Sequence, residues 1–215
     1  MQRNSILTRL NDLGVVAVVR GSSKEVGVNI SQACIRGEVK AIEVTYTNKF
    51  ANEIISDLSN KYSEDTSVLI GAGTVLDSET ARQAIIAGAK FIVSPSFSEE
   101  TAKLCNRYQI PYIPGVMTIA EIVKAYESGV DVVKVFPGSV LGTKFICALK
   151  GPLPYANVMV TGGVGLNNIS EWLKAGANMI GIGGELNTLG EAGNYDEITK
   201  ICSQYTDKLK DLRGN

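Results

Sequence analysis

The chain has 215 residues, 45% of them hydrophobic, and its 21 Lys plus Arg against 22 Asp plus Glu leave a formal charge of −1 with no histidine at all. A nearly neutral chain offers no basic field for nucleic acid or an anionic membrane, no run approaches the ~20 apolar residues of a membrane span, and the missing imidazole removes the commonest metal ligand and general base together. The expectation is a cytoplasmic, single-domain protein over residues 1–215 that needs no metal or cofactor and acts on a small molecule.

In chain order, the mixed polar and apolar segment 2–13 lacks the apolar run of a signal peptide and predicts an extra N-terminal helix that closes one end of the fold. Eight β-rich runs follow: VVAVV (15–19), KAIEVTY (40–46), SVLIGAG (67–73), KFIVS (90–94), PYIPGV (111–116), DVVKVF (131–136), NVMVTGG (157–163) and NMIGIGG (178–184). They start roughly 20 to 27 residues apart, the length of a βα unit. Helical patterns lie between them. After Thr118, Ile119, Ile122, Val123 and Tyr126 follow helical spacing and Glu121 completes a capping box; Ile169, Trp172 and Leu173 repeat the pattern after Asn168, with Glu171 three residues past the cap. Gly37, Gly88, Gly129 and Gly176 end four helices just before the second, fourth, sixth and eighth strands, where glycine supplies a left-handed cap. Cys34, Cys105, Cys147 and Cys202 each fall inside a helix-like segment without close pairing and read as buried free thiols of a reducing compartment. Residues 190–195 read as loop and 196–212 as a final amphipathic helix.

Strands apolar on both faces and alternating with helices imply parallel pairing under a helical layer. The count predicts an α/β fold, a (β/α)8 TIM barrel; a doubly wound open sheet shares the same periodicity.

Lys134 interrupts the most apolar of these strands. Burying an ammonium costs several kcal/mol unless it is paired or neutralised, and a desolvated lysine becomes the neutral amine that attacks carbonyls. Side chains alternate along a strand, so if Val133 and Val135 meet the helices, Lys134 points into the barrel with Val132 and Phe136, close to the C-terminal mouth. The same parity sends Glu43 inward with Ala41 and Thr45. A lysine and a glutamate in one mouth suit imine formation and proton transfer, and a structural ion pair would leave the same pattern. Two glycine pairs, Gly162-Gly163 and Gly183-Gly184, end the last two strands, where backbone N–H groups can close on a phosphate or carboxylate. Arg20, Thr74 and Pro95 also stand at strand ends, while Lys49, Lys144 and Lys150 read as solvated. An isomerase or epimerase of sugar phosphates, or a ligand-binding barrel, would share these features.

Taken in order, VVAVVRG, IEVTYTN, IGAGTVL, FIVSPSF, PYIPGVMTIAEI, VVKVFPG and VTGGVGLNNISEWLKAGA resemble the 2-dehydro-3-deoxy-6-phosphogluconate (KDPG) aldolase and 4-hydroxy-2-oxoglutarate (KHG) aldolase family over nearly the whole chain. The resemblance implies a metal-independent aldolase in which Lys134 forms a Schiff base with a keto acid and Glu43 is the acid/base. It further implies that Thr74, Pro95, Phe136, Thr161, Gly162 and Gly163 line the substrate site, that pyruvate and glyceraldehyde 3-phosphate are the products, and that the chain forms a homotrimer. Two positions depart from the pattern. Thr47 falls where well-known members carry an arginine, and Glu185, after Gly184, falls where many have a serine. A carboxylate there repels a phosphate dianion, which keeps the phosphogalactonate epimer and unphosphorylated 4-hydroxy-2-oxoglutarate open as substrates, with Arg20 as a substitute cation.

Overall fold

A computed structural model describes residues 2–214. Its elements are α1 (Gln2–Leu13), β1 (Val15–Val19), α2 (Lys24–Arg36), β2 (Ala41–Thr45), α3 (Ala51–Lys61), β3 (Leu69–Gly73), α4 (Ser78–Ala87), β4 (Ile92–Val93), α5 (Glu99–Tyr108), β5 (Tyr112–Ile113), β6 (Gly115–Val116), α6 (Ile119–Glu127), β7 (Val133–Val135), α7 (Gly138–Lys150), β8 (Val158–Thr161), α8 (Ile169–Lys174), β9 (Met179–Ile182), α9 (Gly184–Glu191) and α10 (Tyr195–Arg213). Consecutive strands other than β5 and β6 pair in parallel, and β1 pairs with β9. The two ends of this ladder are β5 and β6, which flank Pro114. Proline has no N–H to continue a ladder, so the run 111–116 is not one strand but two: β5 pairs back to β4 and β6 forward to β7. Eight staves therefore ring the barrel, the fifth bent at its proline.

The barrel interior and the helical layer are two separate apolar clusters. Inside lie Val16, Ala41, Leu69, Phe91, Val93, Ile113, Val132, Met159 and Met179, and Ile6 and Leu10 of α1 reach in from below. Val15, Ala17, Ile42, Val44, Val133, Val135, Val158 and Val160 face the helices instead. The strict alternation puts Glu43 and Lys134 on the inward face, as strand parity predicts. The N-terminal end is shut by α1, whose Arg3 donates to Asp131 at 2.9 Å and to Asn106 at 2.6 Å. From α10, Arg213 donates to the carbonyls of Asn11 and Asp12 at 2.9 Å. The cavity at the strand ends lies at the opposite, C-terminal end of the barrel.

Local signals hold in part. The Thr118–Glu121 capping box forms, and Gly88, Gly129 and Gly176 take φ of 109°, 78° and 107°. Gly37 does not: its φ is −84° and Glu38 takes the left-handed position. Gly37 is needed for closeness instead, since a Cβ there would stand 2.3 Å from the Thr199 carbonyl oxygen on α10. Asn168 makes no side-chain cap on α8; its carboxamide serves the preceding loop. Cys34, Cys105 and Cys202 are buried, but Cys147 is exposed. Of residues 190–195, expected as loop, 192–194 form the turn, while Gly190 and Glu191 end α9 and Tyr195 starts α10. Among the described residues no helix is long and apolar enough to cross a membrane.

Candidate active site

Lys134 and Glu43 come from strands on opposite sides of the barrel, β7 and β2, and meet inside it. Nζ of Lys134 lies 3.5 Å from Oε1 of Glu43, with their side chains 7% and 1% exposed. Such a pair is a poor stabiliser, because desolvating two charges offsets most of their attraction. Burial pushes the Glu43 carboxyl above its ordinary value, and the Lys134 and Arg20 cations oppose that rise. Oε2 of Glu43 and Oγ1 of Thr161 are buried with no hydrogen-bond partner, although an unmet buried acceptor costs about 1–3 kcal/mol. Polar atoms left unpaired on the inner face of a barrel mouth are free to engage a polar substrate. The Phe136 ring lies 5.3 Å from Nζ of Lys134, placing its electron-rich face where a cation forms.

Beside this pair opens a cavity of about 400 Å³ at the ends of β7, β8, β9 and β1. Arg20, Phe136, Thr161, Gly162, Gly163, Gly184 and Glu185 all line it. Gly162 and Gly163 are both left-handed, at φ 89° and 77°, which turns the chain sharply as it leaves β8. Asn168 closes the loop beyond them, donating to the Gly163 carbonyl at 2.8 Å and accepting the Gly165 N–H at 2.9 Å. Val18, Val164 and Tyr205 also line the cavity and were not expected. Burial, with the Glu185 carboxylate adding to it, pushes the Tyr205 phenol up to about 12. No local motif marks Tyr205, because the long final helix brings it there from outside the βα repeat.

Thr47, Thr74 and Pro95 do not line this cavity. They follow β2, β3 and β4, in the other half of the mouth, so the Glu43–Lys134 pair stands between two groups of strand-end residues. Thr47 is exposed and shares a 2.7 Å hydroxyl contact with Thr45. Thr74 has a φ of 55°, and the Pro95 carbonyl packs so closely on Gly115 that a Cβ there would stand 2.0 Å from it.

The family model described as KDPG and KHG aldolase matches residues 6–201, spanning every strand of the barrel and both glycine pairs. The chain belongs to the KDPG and KHG aldolase family. This aldolase is 35% identical to the 2-dehydro-3-deoxy-phosphogluconate aldolase of Treponema pallidum, over 93% of this chain and 95% of that one. A solved structure described as native KDPGal matches it with a TM-score of 0.85 at 26% identity, over 94% of this chain and 96% of that one. The KDPG aldolase of Legionella pneumophila, solved with pyruvate captured as a covalent carbinolamine, matches with a TM-score of 0.82 at 27% identity, over 88% and 92% of the two chains. The aldolase is thus a carbon–carbon lyase on a TIM barrel, which sets aside an isomerase or a mere binding barrel.

Proposed function

We propose that this aldolase cleaves 2-keto-3-deoxy-6-phosphogluconate to pyruvate and glyceraldehyde 3-phosphate through an imine on Lys134. The observation that carries the proposal is the buried Lys134–Glu43 contact of 3.5 Å, an expensive arrangement that a structural role does not require. Lys134 attacks the C2 ketone and water leaves, giving the protonated imine. Glu43 takes the C4 hydroxyl proton; the C3–C4 bond breaks, and its electron pair flows toward the imine nitrogen, forming a pyruvate enamine as the aldehyde departs. Protonation at C3 and hydrolysis release pyruvate and restore the amine. A carboxyl that burial makes more basic suits the proton uptake.

The two halves of the mouth divide the substrate between them. Thr74 and Pro95, with Thr47 offering a hydroxyl in place of a charge, serve the keto-acid end, and Phe136 and Thr161 flank the reacting carbons. Arg20 and the amides of Gly162, Gly163 and Gly184 receive the distal end. Glu185 on that cavity favours a second reading, in which the phosphogalactonate epimer or unphosphorylated 4-hydroxy-2-oxoglutarate is the better substrate. We further propose a single-domain cytoplasmic homotrimer, which sedimentation would check by a mass three times that of the chain.

The test is reduction with borohydride in the presence of pyruvate, followed by cleavage rates on the gluconate and galactonate epimers and on 4-hydroxy-2-oxoglutarate. One reduced adduct per chain, on Lys134, is the expected result. A chain of unchanged mass under conditions that trap another aldolase of this class would overturn the mechanism, and the rate order assigns the substrate.

A further inference from the structure

Asn187 lies outside the cavity lining, yet its carboxamide touches three residues that form it. Its Oδ1 accepts the Arg20 N–H at 2.7 Å, and its Nδ2 donates to the carbonyls of Val18 at 2.8 Å and Gly183 at 2.5 Å. The β1–β9 register runs only as far as Ala17 opposite Ile182, after which the strands part to make room for the cavity. A primary amide carries the same donor and acceptor as a peptide group, and Asn187 supplies both to β1 where β9 no longer can. A Cβ on Gly183 would stand 2.7 Å from the Val18 oxygen, so the glycine turn is pressed directly against the strand end that Asn187 holds.

The next peptide group, on the other side of the Arg20 Cα, is held by Asn48, which is 5% exposed. Its Nδ2 donates to the carbonyls of Arg20 at 2.8 Å and Gly21 at 3.0 Å, while its Oδ1 accepts the Phe50 N–H at 2.8 Å. Arg20 therefore has its N–H tied to α9 and its C=O tied to the β2–α3 loop, and only its exposed side chain is left to move. A flexible cation loses more entropy when it engages an anion than one whose backbone is already fixed.

We propose that Asn187 is a positioning residue for the distal end of the substrate, locking the Arg20 backbone and the Gly183-Gly184 turn into one anion-receiving unit. This rests on the reading that Arg20 and the glycine amides face that end.

Asn187→Leu keeps the approximate volume and removes all three bonds. It should raise KM for the phosphorylated keto acid about tenfold with kcat within about threefold, leave both constants on 4-hydroxy-2-oxoglutarate within about threefold, and leave borohydride trapping of pyruvate intact. Calorimetric titration with inorganic phosphate, which needs no turnover, should show weaker binding to Asn187→Leu than to the unsubstituted enzyme. Equal losses on both substrates, an unchanged KM, reduced trapping, or unaltered phosphate binding would each overturn the proposal. Asn187→Ser, which is smaller and too short to bridge the three groups, should repeat the pattern; failure of both variants to fold would assign Asn187 to the fold alone and also overturn it. If the unsubstituted chain traps no pyruvate and cleaves none of the acids, the imine mechanism fails, while the phosphate titration still reads the role of Asn187.

Discussion

Gly73 and Glu43 share one volume: a Cβ on Gly73 would stand 2.1 Å from Oε1 of Glu43 and 2.5 Å from its Cγ. The inward positions of β3 are built for neighbouring side chains, since Gly71 likewise lies beneath Phe91, where a Cβ would meet the ring at 2.5 Å. A glycine that reads as a weak point in a strand is here what lets a carboxylate occupy the barrel axis. Gly73→Ala is therefore expected to push Glu43 off Lys134. Overpacking should cost about 1–3 kcal/mol of stability, readable by thermal melting, and the misplaced carboxylate should lower kcat about 100-fold. A kcat within twofold of the unsubstituted enzyme would show that Glu43 needs no such placement.

Lys134→Met should abolish the borohydride adduct and lower kcat/KM by roughly 10³-fold or more, because no second amine takes over imine formation. It also strips Glu43 of one of the two cations that oppose the effect of burial, leaving Arg20, so the carboxyl climbs further above its ordinary value. Intact mass after reduction and steady-state rates decide the first point, and titration of the variant the second.

The raised Glu43 carboxyl gives pH dependence with a definite sign. The folded state holds its proton more tightly than the unfolded chain, so this group's contribution to stability is fully present below the unfolded value near 4.5 and is lost as pH rises through the elevated folded value. Glu43→Gln removes that dependence, so the melting-temperature gap between the two proteins should shift in favour of Glu43→Gln as pH rises through the window. The acid limb of kcat/KM should sit above 4.5, where Glu43 becomes available as a base, and disappear in the variant along with most of the turnover. An acid limb unchanged in Glu43→Gln would assign it to another group.

Glu185→Ser should improve handling of phosphorylated substrate. Removing a repulsion of roughly 1 kcal/mol predicts a KM lower by about fivefold for the phosphorylated acid and little change for 4-hydroxy-2-oxoglutarate. The difference should shrink as ionic strength rises, since the cavity opens to solvent. Equal changes on both substrates would mean that Glu185 does not meet the distal end.

Much of the Lys134–Glu43 pair was legible without a structure. Strand side chains alternate with a fixed period, so the apolar residues flanking Lys134 and Glu43 dictate which way each charge points; one parity rule sends both inward. The same regularity exposes the βα repeat, the N-terminal plug and the glycine pairs. Local rules fail where they have rivals. Pro114 split the fifth stave because a missing N–H outweighs apolar continuity, and Gly37 proved to be a contact glycine whose left-handed role passed to Glu38.

The sequence by itself determined the alternation, the inward charges and the turn residues, because each follows from chemistry within a few positions along the chain. Only the tertiary structure decided that Lys134 on β7 reaches Glu43 on β2, that Thr47, Thr74 and Pro95 stand apart from the cavity holding Arg20 and Glu185, that Tyr205 lines that cavity, and that Asn187 braces it from behind. Those are relations between residues many tens of positions apart, fixed by barrel closure and side-chain volume, and no local periodicity encodes them.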